Sequence, residues 1–142
     1  LSRRTMSSSL PWPSFADAAD PLDQLVLLSR YYGSDPEMVL AGGGNTSVKV
    51  GDKLLVKGSG SALATIGREG FVAMDRPRLE ALAGASLPVE REPREAAYKQ
   101  ALYAARLEPE KNQRPSVEAL LHHLVPGQFV VHGHATVANA LT

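Results

Sequence analysis

No cysteine occurs in the 142-residue chain, which excludes disulfides and thiolate metal sites and leaves the redox compartment open. Neither sign of charge is in excess. Fifteen Lys and Arg balance fifteen Asp and Glu, so net charge gives no reason to expect a polyanionic partner. Aromatic residues make up only 6% of the chain, and no basic run carries interleaved aromatics, which argues against nucleic-acid binding. No apolar run approaches the roughly 18 residues that would suggest a membrane span. The opening LSRRTMSSSL has two arginines but no apolar stretch behind them, so it does not read as a secretory signal. It also lacks an initiating Met, with Met6 inside it. Residues 1–16 are therefore read as a disordered or processed leader, and residues 17–142 as the folding unit.

What is present fits one ordinary globular domain, with 44% hydrophobic and 21% charged residues. DPLDQLVLLSRYYG predicts a helix from about Asp23 to Tyr32, capped by Asp20 or Asp23 and ended by Gly33. TSVKV and KLLVKG read as two strands joined by a tight turn at Gly51-Asp52. GFVAMD is a further strand, RPRLEALAG a short helix ended by Gly84, and residues 86–93, with two prolines, a loop. PREAAYKQALYAARL predicts a helix from about Arg94 to Leu107, and SVEALLHHL another that Ser116 can cap. FVVHGHA is a strand and TVANAL opens a last helix. The chain stops at Thr142 a few residues into it, without a turn or cap, so it is expected to be the N-terminal part of a larger domain. The pattern is α/β or α+β and layered, without the regular βαβ rhythm of a doubly wound dinucleotide fold.

Three stretches carry candidate chemistry. In VVHGHA, His132 and His134 stand two apart on a strand, so both project from one face and can converge on one ion. Neutral imidazoles suit Zn²⁺ or another borderline divalent metal. The alternative is a pair of half-buried, hydrogen-bonded histidines. Two ligands do not complete a site. His122 and His123 lie on a helix one turn after Glu118, and adjacent helical positions diverge, so at most one faces a given pocket.

GGGNTS, Gly42 to Ser47, permits positive φ and offers backbone N–H donors that could hold a phosphate or carboxylate. It is neither a Walker loop nor a dinucleotide fingerprint, because no GK[ST] and no helix follow. KGSGSA, Lys57 to Ala62, is a second cradle, with Lys57 available as a counter-charge. Either loop could instead be a plain glycine-rich connection. In RPSVE, Ser116 and Glu118 are what capping and the helix dipole favour. They could equally serve as an anion-binding helix start and a base. Ser59 and Ser116 both miss the G-x-S-x-G nucleophile pattern.

Taken in order, GGGNTSVK, LLVKGSGSALATIG, FVAMD, RPSVEALLHHLVP and VVHGHATVANAL resemble the class II aldolase and adducin N-terminal domain family over roughly residues 20–142. The resemblance is closest to its bacterial rhamnulose-1-phosphate aldolase branch, including versions fused to an alcohol dehydrogenase. It implies a three-layer α/β/α domain around a mostly antiparallel sheet, cytoplasmic and assembled as a homo-oligomer, usually a tetramer. It further implies zinc held by three histidines, of which two correspond to His132 and His134 and the third would lie downstream of Thr142, in a complementary C-terminal piece. Glu118 would be the catalytic carboxylate, for which a raised pKa would be suited. Gly44, Asn45 and Ser47, then Ser59 and Gly60, then Ser116 would bind the phosphate of a sugar-phosphate substrate. Val117 stands where simpler sugar-phosphate aldolases often carry a second serine.

The activity so implied is retro-aldol cleavage of a ketose 1-phosphate to dihydroxyacetone phosphate and an aldehyde, lactaldehyde for the rhamnulose branch. Competing readings are a sugar-phosphate epimerase of the same fold, an adducin-like interaction module without metal, and a sugar-phosphate-binding domain without turnover.

Overall fold

The computed structural model describes residues 11–35 and 44–133. Among them, four strands form one sheet in the order β3-β2-β1-β4, with every neighbouring pair antiparallel. The strands are β1 (Asn45–Val50), β2 (Lys53–Lys57), β3 (Phe71–Asp75) and β4 (Phe129–His132). β1 and β2 are joined through Gly51-Asp52, where Gly51 takes φ 59°, the left-handed conformation a two-residue hairpin turn demands.

Alternation along the strands gives the sheet two apolar faces. On one, Val48 and Phe71 pack with Ile66 against Leu25 and Val26 of α1 (Pro21–Gly33). On the other, Leu54, Val56, Val72 and Met74 meet Leu79, Leu102, Ala105 and Ala119. Those partners belong to α2 (Arg76–Ala83), to α3 (Arg91–Ala104) and the residue after it, and to α4 (Ala119–Leu124). Three layers result, as expected. Each fully enclosed leucine contributes roughly 1.5–3 kcal/mol relative to exposure, and Leu25, Leu54, Leu79 and Leu102 are all enclosed.

Local chemistry explains most element ends. Asp75 accepts the Arg78 N–H and caps α2, with Pro77 in the first turn, where its missing N–H is harmless. α3 starts at Arg91, earlier than expected, because Pro93 falls within the first turn, whose N–H groups have no intrahelical partner. It also ends earlier, since Leu107 turns away to donate its N–H to Ala73 O at 2.9 Å, while Arg106 bridges Met74. The segment therefore extends the open edge of β3. Ahead of α1, Trp12 sits edge-on to Tyr31, with ring centroids 5.0 Å apart. The helix expected from Thr136 lies outside the described residues. No helix among those described is long and apolar enough to cross a membrane.

Gly33 shows how closely α1 is docked. A Cβ built there would lie 2.4 Å from Ala64 N and 2.5 Å from Leu63 Cβ. Gly33→Ala is expected to destabilise the fold by about 1–3 kcal/mol through overpacking, read as a lowered urea midpoint. An unchanged midpoint would mean that this contact is loose.

Candidate active site

Asn45 and His132 are direct partners across β1 and β4, so both side chains leave the same face of the sheet. This is the face that carries α4. Glu118 occupies the position before the first residue of α4, with φ −91° and ψ 8°. Ser116 was expected to cap this helix; instead its hydroxyl accepts the Glu118 N–H at 3.2 Å in a tight turn, and Glu118 itself takes the cap position. From there the carboxylate reaches back over β1. Asn45 Nδ2 donates to Glu118 Oε2 at 2.9 Å, and His132 Nδ1 hydrogen-bonds the same oxygen.

The chain of bonds continues inward. Asn45 Oδ1 meets His122 Nε2, and His122 Nδ1 lies 2.6 Å from Ser47 Oγ. For a neutral His122 ring, donors and acceptors are consistent in only one way. Ionised Glu118 only accepts, so Asn45 presents its amide to it and its carbonyl to His122. His122 Nε2 must then carry the proton, and Nδ1 accepts from the Ser47 hydroxyl. Burial lowers the His122 pKa from 6.5 to about 4, against the pull of Glu118 and with smaller contributions from His132 and Lys49. The imidazole is therefore neutral near pH 7. Burial on its own would raise the Glu118 carboxyl, but hydrogen bonds from Asn45 and His132, with the charges of His132 and His122, outweigh it. The net effect holds the group below its usual 4.5, so the raised value suited to the role is not present here.

His122 and His123 diverge as adjacent helical positions should. His122 faces the site, whereas His123 lies between Glu80, at 2.7 Å, and Arg76, at 3.3 Å. The signal for His122 is its spacing: it follows Glu118 by four residues, one turn above it on the same side. Its bond to the strand was not legible, because Asn45 and Ser47 read as loop polar groups rather than as partners of a buried ring.

The expected phosphate ligands separate into two sets. Gly44, at φ 84°, leads directly into β1. Asn45 and Ser47 are buried, with their side chains engaged by Glu118 and His122, so those side chains are turned inward rather than into the cleft. Ser59 and Gly60 form a turn after β2 that is tied to the segment before α4. Ser59 N–H donates to Arg114 O at 2.8 Å, Gly58 bridges Pro115, and Ser116 N–H donates to Lys57 O at 3.3 Å. Ser116 is thereby brought beside the second glycine loop. Lys57 is buried on the α1 side of the sheet, where burial lowers its pKa. Its ammonium donates to Gly58 O at 3.2 Å. His134, Gly42 and Gly43 lie outside the described residues. Among those described, no three His, Cys, Asp or Glu side chains are grouped to hold a metal ion.

Residues 23–142 match the family model described as "Class II Aldolase and Adducin N-terminal domain". The chain belongs to this family. It is 32% identical over 134 residues to the "Uncharacterized oxidoreductase YuxG" of Bacillus subtilis (strain 168), a match covering 87% of this chain and 19% of that protein. Among solved structures, the N-terminal class II aldolase domain of a conserved protein from Thermoplasma acidophilum superposes with a TM-score of 0.78 at 33% identity. That match covers 96% of this chain and 64% of the solved one. The chain thus spans about a fifth of the length of the curated relative and under two thirds of the solved domain.

Proposed function

We propose that the protein containing this domain is a zinc-dependent aldolase that cleaves a ketose 1-phosphate of the rhamnulose 1-phosphate kind to dihydroxyacetone phosphate and an aldehyde. The observation that carries this reading is the Glu118 carboxylate, held between Asn45 and His132. A carboxylate that is ionised at neutral pH and oriented by two donors can take a proton from a carbon beside a carbonyl and return it.

The donors fit zinc in kind. An imidazole whose Nδ1 is engaged by a carboxylate is the usual arrangement for a ligand that binds through Nε2, and His132 has that partner. His132, with His134 two residues on, would hold the ion. His122 and His123 are both hydrogen-bonded through their two ring nitrogens, so neither supplies the third histidine that the resemblance implies. When bound, zinc would supply Lewis-acid polarisation of the substrate carbonyl. The chain's own groups do the rest. The turn at Ser59-Gly60, with Ser116 beside it, would anchor the phosphate and fix the distance from that anchor to the carboxylate. As the C3–C4 bond breaks, the C4 hydroxyl gives up its proton to become the aldehyde and C3 gains one to complete dihydroxyacetone phosphate; Glu118 would carry the proton at C3. A homo-oligomer, tetrameric by resemblance, goes with this reading.

The test is zinc content and dihydroxyacetone phosphate release from rhamnulose 1-phosphate on one preparation, for wild type and His132→Ala. Wild type is expected to hold near one zinc per active site and to release product. The variant should lose at least about tenfold in zinc affinity, as removal of a ligand or its partner typically does. Product release that does not depend on zinc, or equal zinc binding by the variant, would overturn the proposal.

A further inference from the structure

We infer that Arg114 supplies the positive charge of the anion cradle at the second glycine loop and makes it selective for a phosphate over an uncharged group. This rests on reading that loop as the place where a substrate anion is held, and it adds a residue that the sequence pattern left unassigned. Four observations converge on it. The backbone around Arg114 is fastened to the loop by the Ser59 N–H bond to its carbonyl and the Gly58–Pro115 bridge. This sets the guanidinium over the turn: a Cβ placed on Gly60 would lie 3.7 Å from Arg114 Nη2.

Gly60 itself stands at φ 91°, the value that the third residue of a type II turn requires, where a side chain would be strained. A cavity of about 200 Å³, lined by Ser59, Ser61, Asn112, Gln113 and Arg114 among others, opens at this point. Finally, the guanidinium forms no hydrogen bond or ion pair with any described residue, and the same holds for the Ser59 and Ser61 hydroxyls and the Gly60 N–H.

A guanidinium offers a planar fork of N–H groups that matches two oxygens of a phosphate at once. Of the other cations nearby, Lys57 is on the far side of the sheet and bonded to Gly58 O, and Arg106 is bonded to Tyr103 O and Gln113 O, so neither takes this role. Val117 is exposed and offers no side-chain donor. One group opposes the anion: Glu69 also lines the cavity. Its carboxylate is folded against Gly67, within 2.6 Å of where a Cβ would stand there.

The test is a ¹H–¹⁵N NMR titration of the full chain with inorganic phosphate at constant ionic strength. It compares wild type, Arg114→Gln and Arg114→Lys. Wild type should show saturable shifts at the Gly60 and Ser61 amides. Arg114→Gln should bind about tenfold more weakly or worse, as loss of a charge-assisted pair implies. Arg114→Lys keeps the charge without the fork and should fall between. The titration needs neither zinc nor turnover, so failure of this inference and failure of the cleavage reading, which is tested by zinc-dependent product release, are told apart. The inference is overturned if Arg114→Gln binds within about twofold of wild type, if the saturable shifts are confined to other residues, or if none occur.

Discussion

Glu118→Gln is expected to lower turnover of the ketose 1-phosphate by roughly 10²–10⁴-fold, the usual contribution of a positioned acid or base, with KM little changed. The substitution is nearly isosteric. The amide oxygen can still accept from Asn45 Nδ2 and from His132 Nδ1, the two groups that hold the carboxylate. What disappears is the negative charge and the ability to carry a proton. A group that acts only in the transition state lowers kcat without raising KM, whereas a lesion of the fold would lower both affinity and stability. The Glu118 carboxyl is held below 4.5, so in the metal-free protein it is ionised at neutral pH, as a base must be. The measurement is a steady-state comparison at saturating zinc, with urea unfolding of both proteins alongside. Turnover within about threefold of wild type would remove Glu118 from the mechanism. A drop accompanied by a large loss of stability would assign it a structural part instead.

The layered α/β fold was legible where a local rule decides an element. The Gly51-Asp52 turn sets the β1–β2 hairpin, and Asp75 with Pro77 sets the start of α2. The limits of α3 were less so. Its start depends on where Pro93 falls within a first turn, and its end on an edge contact with β3 that no nearby residue announces. The candidate site divides in the same way. His132 is marked by its alternation with His134, and Glu118 by its place at a helix start. The bonds that join them to Asn45, His122 and Ser47 depend on the pairing of β4 with β1 and on the seating of α4 across the sheet. Both are long-range packing choices. Arg114 shows the same limit, because an exposed arginine before a proline carries no local sign of the glycine turn it faces.

Acidification from pH 7 to about pH 4 is expected to remove about 3 kcal/mol of stability through His122 alone, the free energy corresponding to a pKa lowered from 6.5 to about 4. The sign follows from where protons bind. Below the unfolded value the unfolded chain takes up a proton on this imidazole, while the folded chain refuses it until near pH 4. Stability is therefore full above pH 6.5, falls as the pH drops toward 4, and levels off below that once both states are protonated. The physical cause is enclosure of the ring, which has no exposed surface. Its nitrogens are already matched to Asn45 Oδ1 and Ser47 Oγ, and the Ser47 hydroxyl would have to stop donating if Nδ1 gained a proton. Glu118 favours the charged ring, while His132 and Lys49 oppose it. Glu118, whose pKa is itself lowered, adds a loss only at more acid pH, as the carboxyl protonates. His122→Gln keeps a donor for Asn45 and an acceptor for Ser47 but cannot titrate. Urea unfolding across this range should show a steep slope for wild type and a much flatter one for the variant. Parallel slopes would place the acid sensitivity elsewhere. A flattened slope would assign the acid sensitivity to the His122 ring.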